Sequence, residues 1–329
     1  MDFEHTQWVW MNGKYVRWQD ATIHVSAHAL HYGSGVFEGL RCYPTADGPA
    51  VFRMEAHLDR LYASAAVYRM AIPYSKEELA EAVCQTILRN QFTDCYVRPI
   101  CYFGSSSLGV HPRKCPVELA VLAWPWGAYL GAEGLEKGVR ITVSPWQKFH
   151  SQMMPTTAKA CGQYLNSTLA LRDAADRGFD EALLLDKNGD IAEGSGENIF
   201  LVRNNQLLTN DERHSILLGV TRDCVIQIAR DLGWEVVIRT LSINDLLECD
   251  EAFFTGTAAE VVPIRELDGK RIGSGKRGPL TARIQNIFFD ATSARDDQYR
   301  HWLFPVHQFK DAQFKDAELK EAQFKEVLQ

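Results

Sequence analysis

Apolar and polar positions fall into two rhythms along this chain, short alternating runs and longer stretches at helical spacing. Trp8-Val9-Trp10-Met11 predicts a strand, and Asn12-Gly13 before Lys14 predicts a hairpin turn. Val51-Phe52 closes another strand. Over 54–70 the apolar residues Leu58, Leu61, Ala65 and Tyr68 recur at the spacing of one helical face. Ser75 followed by Glu78 is a capping-box pair that opens a second helix to about Arg89. Residues 96–104 and 117–124 are dense in apolar and aromatic side chains and predict strands; Pro125-Trp126-Gly127 ends the second.

The second half opens on a strand over 139–143. A helix over about 162–176 stops before Gly178, and another over 220–232 stops at Gly233. Strands are expected at 182–185, 199–202, 206–208 and 252–254, with turns at Asp186-Lys187-Asn188-Gly189-Asp190 and Asn204-Asn205. A helix over 281–290 closes the core. Strands and helices mix without strict alternation, so the expected class is α/β (α+β) in two domains rather than a doubly wound sheet. The boundaries expected are a smaller N-terminal domain at 1–125, an interdomain loop at 126–137, a larger domain at 138–305 and a helix-prone tail at 306–329. The tail reads FKDAQ, FKDAE, LKEAQ, FKEVL. Steps of five residues turn about 140° around a helix, so its apolar residues form no single stripe, which suits a solvated appendage.

Composition narrows the function. The chain has 329 residues, 46% of them hydrophobic, enough for folded cores. Thirty-five basic against 42 acidic residues give a net charge of −7, which argues against nucleic acid as the main partner. The longest uncharged apolar run, 119–132, is broken by Pro125 and Gly127 and falls short of the roughly 18 residues a membrane span needs. The start, Met1-Asp2-Phe3-Glu4, lacks the basic and apolar segments of a secretory signal. Eight scattered cysteines without a Cys-x-x-Cys pair point to a cytoplasmic protein without a zinc site or disulfide framework. There is no phosphate-binding P-loop and no His-Glu-x-x-His. Gly33-Ser34-Gly35 begins like a dinucleotide loop but lacks the next glycine. His24, His28 and His31 have the spacing of one helical face, yet no carboxylate partner completes a metal site, so no metal is expected.

Three segments carry candidate chemistry. Lys159 sits among small residues, Thr157, Ala158 and Ala160, which permit close approach of a planar partner. A lysine crowded there loses hydration, and its neutral amine becomes a nucleophile. Glu193, between a turn and Gly194 and Gly196, could pair with a protonated pyridine nitrogen. A phosphate cradle could form from Gly219, Val220 and Thr221 at a helix start, from Gly256 and Thr257 after a strand, and from Arg60. Taken singly, each is ordinary: a surface lysine, a turn glutamate, a helix start. Together they meet the demands of pyridoxal phosphate.

The chain resembles the branched-chain amino acid aminotransferases of the fold-type-IV, pyridoxal-phosphate-dependent class. The matching segments, in order, are HALHYGSGVFEGLRCY, YVRP, WPWGAYLGAEGLEKG, TAKACGQYLNS, GFDEALLLDKNGDIAEGSGENIF, LGVTRD and TGTAAEVVPIRELDG. The resemblance implies a Schiff base on Lys159, which also moves the proton between substrate Cα and cofactor C4′. It implies a ring-nitrogen partner in Glu193, a phenolic-oxygen partner in Tyr164, and phosphate contacts from Arg60, Val220, Thr221 and Thr257. It implies substrate walls from Phe37, Trp126, Tyr129 and Tyr164, a carboxylate-binding end at Tyr96 and Arg98, and α-carboxylate contacts from Thr257 and Ala258. Tyr32, Leu108 and Val110 resemble residues that reach in from a second subunit, so a homodimer or higher homo-oligomer is implied. The implied reaction is ping-pong exchange between leucine, isoleucine or valine and 2-oxoglutarate, in either direction. Gln163, the Ala160-Cys161 pair and Leu218 depart from the usual pattern, and Cys161 is open to two readings, redox-sensitive or simply packed. D-amino acid transaminases, (R)-amine transaminases and aminodeoxychorismate lyases share the lysine and the glutamate. A non-catalytic scaffold is the reading from another class.

Overall fold

The structure, a computed structural model, describes residue 3, residues 5–127 and residues 131–309. The first half builds an antiparallel sheet whose path runs Leu303–Pro305, Gly48–Phe52, Leu40–Thr45, Cys95–Phe103, Val117–Trp124, Trp8–Met11 and Lys14–Arg17, with Gly35–Phe37 also pairing onto Cys95–Phe103. Asn12 and Gly13 take φ of 48° and 84°, which turns the chain so that Met11 faces Lys14. Helices Met54–Val67 and Lys76–Arg89 cover the sheet. Ser75 and Glu78 complete the capping box expected of them. The second helix buries Leu79, Val83 and Ile87 completely, each side chain contributing about 1.5–3 kcal/mol.

The second half builds a mixed sheet in the order Ile191–Gly194, Glu181–Leu185, Val139–Val143, Glu260–Leu267, Glu251–Gly256, Asn198–Arg203, Gln206–Thr209 and Val236–Ile238. Helices Val220–Asp231 and Pro279–Thr292 pack on it around Phe200, Phe253 and Phe288. Helix Tyr164–Asp176 packs its alanines against Ala182 and Leu184.

Three features depart from the sequence expectations. Part of the glycine-containing connection, expected as a loop throughout, is helical at Gly131–Lys137, where Lys137 pairs with Glu133 one turn away. Leu303–Pro305 returns to the first sheet, and Val306–Phe309 packs on the first core, with the Phe309 carbonyl accepting from Gln85. Strands Leu40–Thr45 and Glu260–Leu267 have no counterpart in the pattern reading, because they are largely buried and show no alternation. The expected tail beyond Phe309 lies outside the described residues.

Candidate active site

A cavity of about 300 Å³ opens between the two sheets, within the range of small-ligand sites. Lys159 is threaded into its wall. Its amide donates to Ser64 Oγ at 3.0 Å, its carbonyl accepts from the Phe37 amide at 3.0 Å, and Ala160 bridges to Val36. The lysine is thereby held as a short extra strand against Gly35–Phe37. Its Nζ donates to the Tyr164 hydroxyl at 2.6 Å and lies 5.0 Å from the centre of the Phe37 ring. Burial, then the Arg60 cation, lowers the Lys159 ammonium from 10.5 to about 8, with Glu38 opposing. Burial pushes the Tyr164 hydroxyl up to about 12, so it stays protonated.

Glu193 lies just past a register shift in strand Ile191–Gly194. Such a bulge re-aims a side chain, here into the cavity. Its Oε2 accepts from the Leu217 amide at 3.0 Å and Asn198 Nδ2 at 3.1 Å, and its Oε1 pairs with Lys148 Nζ at 2.7 Å. Gly194 serves local packing: a Cβ there would come within 2.7 Å of Glu197 and 3.1 Å of Phe254. Burial, then the nearby Glu181 carboxyl, pushes the Glu197 carboxyl up, and Glu197 lines the cavity.

At the other end, Arg60 grips the fully buried Glu38 through two bonds, Nε to Oε1 at 2.6 Å and Nη2 to Oε2 at 2.9 Å. Its Nη1 donates to the Leu218 carbonyl at 3.0 Å. His57 Nδ1 lies 2.8 Å from Glu38 Oε2. Burial alone would raise Glu38, but Arg60 and His57 hold it well below the usual carboxylate range. Burial lowers His57, so the charged pair here is Glu38 with Arg60. Beside Arg60, Gly219 caps helix Val220–Asp231, whose first residues, Val220 and Thr221, line the cavity. Gly256, Thr257 and Ala258 line the same end, on the turn that joins Glu251–Gly256 to Glu260–Leu267.

The substrate side is aromatic. The Arg98 guanidinium lies 4.6 Å from the Phe37 ring centre and 5.3 Å from that of Tyr96, whose ring stands 4.9 Å from Trp126. Gly39 leaves the Tyr96 hydroxyl the space a Cβ would fill. Among the described residues, Arg98 Nε and Thr255 Oγ1 are buried without a hydrogen-bond partner. Orphaned donors on a cavity wall are what a polar ligand would satisfy.

The cavity thus gathers Phe37, Arg60, Tyr96, Arg98, Trp126, Lys159, Tyr164, Glu193, Gly219, Val220, Thr221, Gly256, Thr257 and Ala258 from the sequence-selected set. Tyr32, Leu108 and Val110 stand apart from it, exposed, with the Tyr32 hydroxyl donating to the Leu108 carbonyl at 2.5 Å. Tyr129 lies outside the described residues. The histidine trio forms no cluster: His28 bonds Ser34 and the Gly109 carbonyl, His31 the Val25 carbonyl, and His24 Ser26. Burial pushes the Cys161 thiol up to about 11, which leaves it unreactive at neutral pH and favours packing over redox sensitivity. Sequence reasoning gave no role to Lys148, Glu38, His57, Glu197 or Asn198. Glu38 and Asn198 sit inside the matching motifs; Lys148 carried no signal at all.

The amino-transferase class IV family model matches residues 35–267. The chain belongs to the class IV aminotransferases. The branched-chain-amino-acid aminotransferase of Escherichia coli K12 is 44% identical over 309 residues, 94% of this chain and 100% of that protein. A crystal structure of the Escherichia coli branched-chain amino acid aminotransferase superposes with a TM-score of 0.90 at 44% identity, covering 92% of this chain and 99% of the other. The branched-chain amino acid aminotransferase from Thermobaculum terrenum, in its PLP-bound holo form, gives 0.85 at 32% identity, covering 92% of this chain and 98% of the other. These findings bear out the resemblance read from the motifs, and the fold is that of the fold-type-IV aminotransferases.

Proposed function

We propose that this cavity is the active site of a branched-chain-amino-acid aminotransferase that uses pyridoxal 5′-phosphate and exchanges amino groups between leucine, isoleucine or valine and 2-oxoglutarate. The observation that carries the reading is a dehydrated amine, Lys159, sharing one cavity with the buried Glu193 carboxylate, Arg60 and the start of helix Val220–Asp231. The donor set fits the cofactor: an amine for an aldehyde, Glu193 for a ring nitrogen, Tyr164 for a phenolic oxygen, and Arg60, Val220, Thr221 and Thr257 for a phosphate. When bound, the cofactor supplies an aldehyde carbon and an electron-withdrawing ring.

The remaining work belongs to the chain. Near neutral pH a useful fraction of Lys159 is unprotonated and able to attack a carbonyl carbon. As a free amine, Lys159 would be the group able to take a proton from the substrate Cα and to deliver one at cofactor C4′. Tyr164, 2.6 Å away, orients the amine. Glu38 holds Arg60 rigid for the phosphate. Phe37, Trp126 and Tyr164 offer an apolar wall for a branched side chain, Tyr96 and Arg98 meet the second carboxylate of glutamate, and Thr257 and Ala258 take the α-carboxylate. One pocket thereby accepts both kinds of substrate.

The exposure of Tyr32, Leu108 and Val110 supports the reading that they complete a neighbour's pocket in a homodimer or higher homo-oligomer. No helix among the described residues is long and apolar enough to cross a membrane. With every cysteine free, a cytoplasmic location fits. The units of function are residues 1–125 and 138–302, joined by 126–137, with Leu303–Pro305 returning to the sheet of the first. The test is a substrate panel on cofactor-loaded protein. L-leucine, L-isoleucine and L-valine should support transfer to 2-oxoglutarate; a preference for D-alanine or an (R)-amine would overturn the substrate assignment.

A further inference from the structure

Two lysines line the cavity, and the proposed reaction uses one. Lys148 is the other. Its amide is fixed by the Leu185 carbonyl at 2.8 Å, and its side chain is 8% exposed. Its ammonium lies 2.7 Å from Glu193 Oε1. The two bonds from Leu217 and Asn198 fall on Oε2, so Oε1 keeps one acceptor direction for another donor. A protonated ring nitrogen arriving at Oε1 would then share one oxygen with an ammonium, placing two cations side by side in a dehydrated site.

We infer that Lys148 is a positioning residue for the cofactor's ring end: it holds the Glu193 carboxylate in aim before the cofactor arrives, and it limits how tightly the ring cation is then held. This rests on the pyridoxal-phosphate reading. It also accounts for having two buried amines of which one is the nucleophile. The Lys148 ammonium is tied into an ion pair, whereas the Lys159 amine meets a hydroxyl. Two like charges around one carboxylate weaken each other's hold, so removing one should strengthen the other.

The experiment titrates cofactor-free protein with pyridoxal 5′-phosphate and with its 1-deaza analogue, in which carbon replaces the ring nitrogen. Wild type is compared with Lys148→Met, Lys148→Gln and Lys148→Arg. Two uncharged variants are included so that one poorly folding protein does not decide the matter. Lys148→Met and Lys148→Gln should bind the natural cofactor at least about tenfold more tightly, and Lys148→Arg should stay within about threefold of wild type. The gain should vanish with the deaza analogue, which carries no ring cation. The uncharged variants should also melt lower than wild type when cofactor-free and recover when loaded, because Glu193 Oε1 is left without a donor only in the free state. Weaker binding in Lys148→Met and Lys148→Gln would mean that Lys148 helps the cofactor to bind rather than competing with its ring cation, and would overturn the inference. Unchanged binding, or a gain that persists with the deaza analogue, would overturn it equally. If wild type binds no pyridoxal phosphate at all, the reading of the site falls first.

Discussion

The lowered ammonium of Lys159 predicts that the nucleophile destabilises its own fold. Its value falls from 10.5 to about 8, which at about 1.36 kcal/mol per pH unit corresponds to about 3.4 kcal/mol against the charged form. The amine borders a cavity open to water and donates to Tyr164, so solvent screening reduces the expected effect to about 1–3 kcal/mol. The sign follows from proton binding. Between about pH 8 and 10.5 the unfolded chain holds the proton and the folded one does not, so stability rises with pH through that window. Below about pH 8 the folded protein must carry the charge where water is scarce. Lys159→Met removes the charge while keeping the length of the side chain. In cofactor-free protein the variant should therefore be about 1–3 kcal/mol more stable than wild type at pH 7, and the gap should close by about pH 10.5. Urea unfolding of both proteins at the two pH values measures it, since other titrating groups cancel in the difference. A variant no more stable than wild type at pH 7, or a gap independent of pH, would refute the dehydration argument.

Other expectations follow from the same geometry. Glu38→Gln should cost about 1–3 kcal/mol and weaken cofactor binding about tenfold, because Arg60 loses its ionic partner. Glu38 is held low, so its contribution is present above the ordinary carboxylate range and is lost as pH falls; acid unfolding of the Gln variant should lack that slope. Arg98→Met should raise KM for glutamate and 2-oxoglutarate about tenfold or more while changing that for leucine by less than about threefold, as a split of the two half-reactions would reveal. Deleting 310–329 should leave transamination rates unchanged.

Much of this arrangement was legible in the residues, for identifiable reasons. Ser75 with Glu78, Asn12-Gly13 and Asn204-Asn205 specify local geometry by their own chemistry, and each took the expected form. Lys159, Glu193 and the starts at Gly219 and Gly256 stood out because crowding and backbone freedom are written locally. The central strands were less legible, since runs such as Leu40-Arg41-Cys42-Tyr43 are buried on both faces and do not alternate. Lys148 was invisible because its role depends on a partner 45 positions away in sequence, brought within 2.7 Å by the parallel pairing of Val139–Val143 with Glu181–Leu185 and the return of Ile191–Gly194. Glu38 sat in a matching motif, but its work on Arg60 appears only once helix Met54–Val67 packs beside Gly35–Phe37.

The measurement that most directly tests the assignment is chemical trapping. Cofactor-loaded protein is reduced with borohydride, digested and mapped by mass spectrometry. A single pyridoxyl adduct on Lys159, with none on Lys148, is the predicted result. An adduct on Lys148, on another lysine, or on none would contradict the account of how this cavity selects its amine.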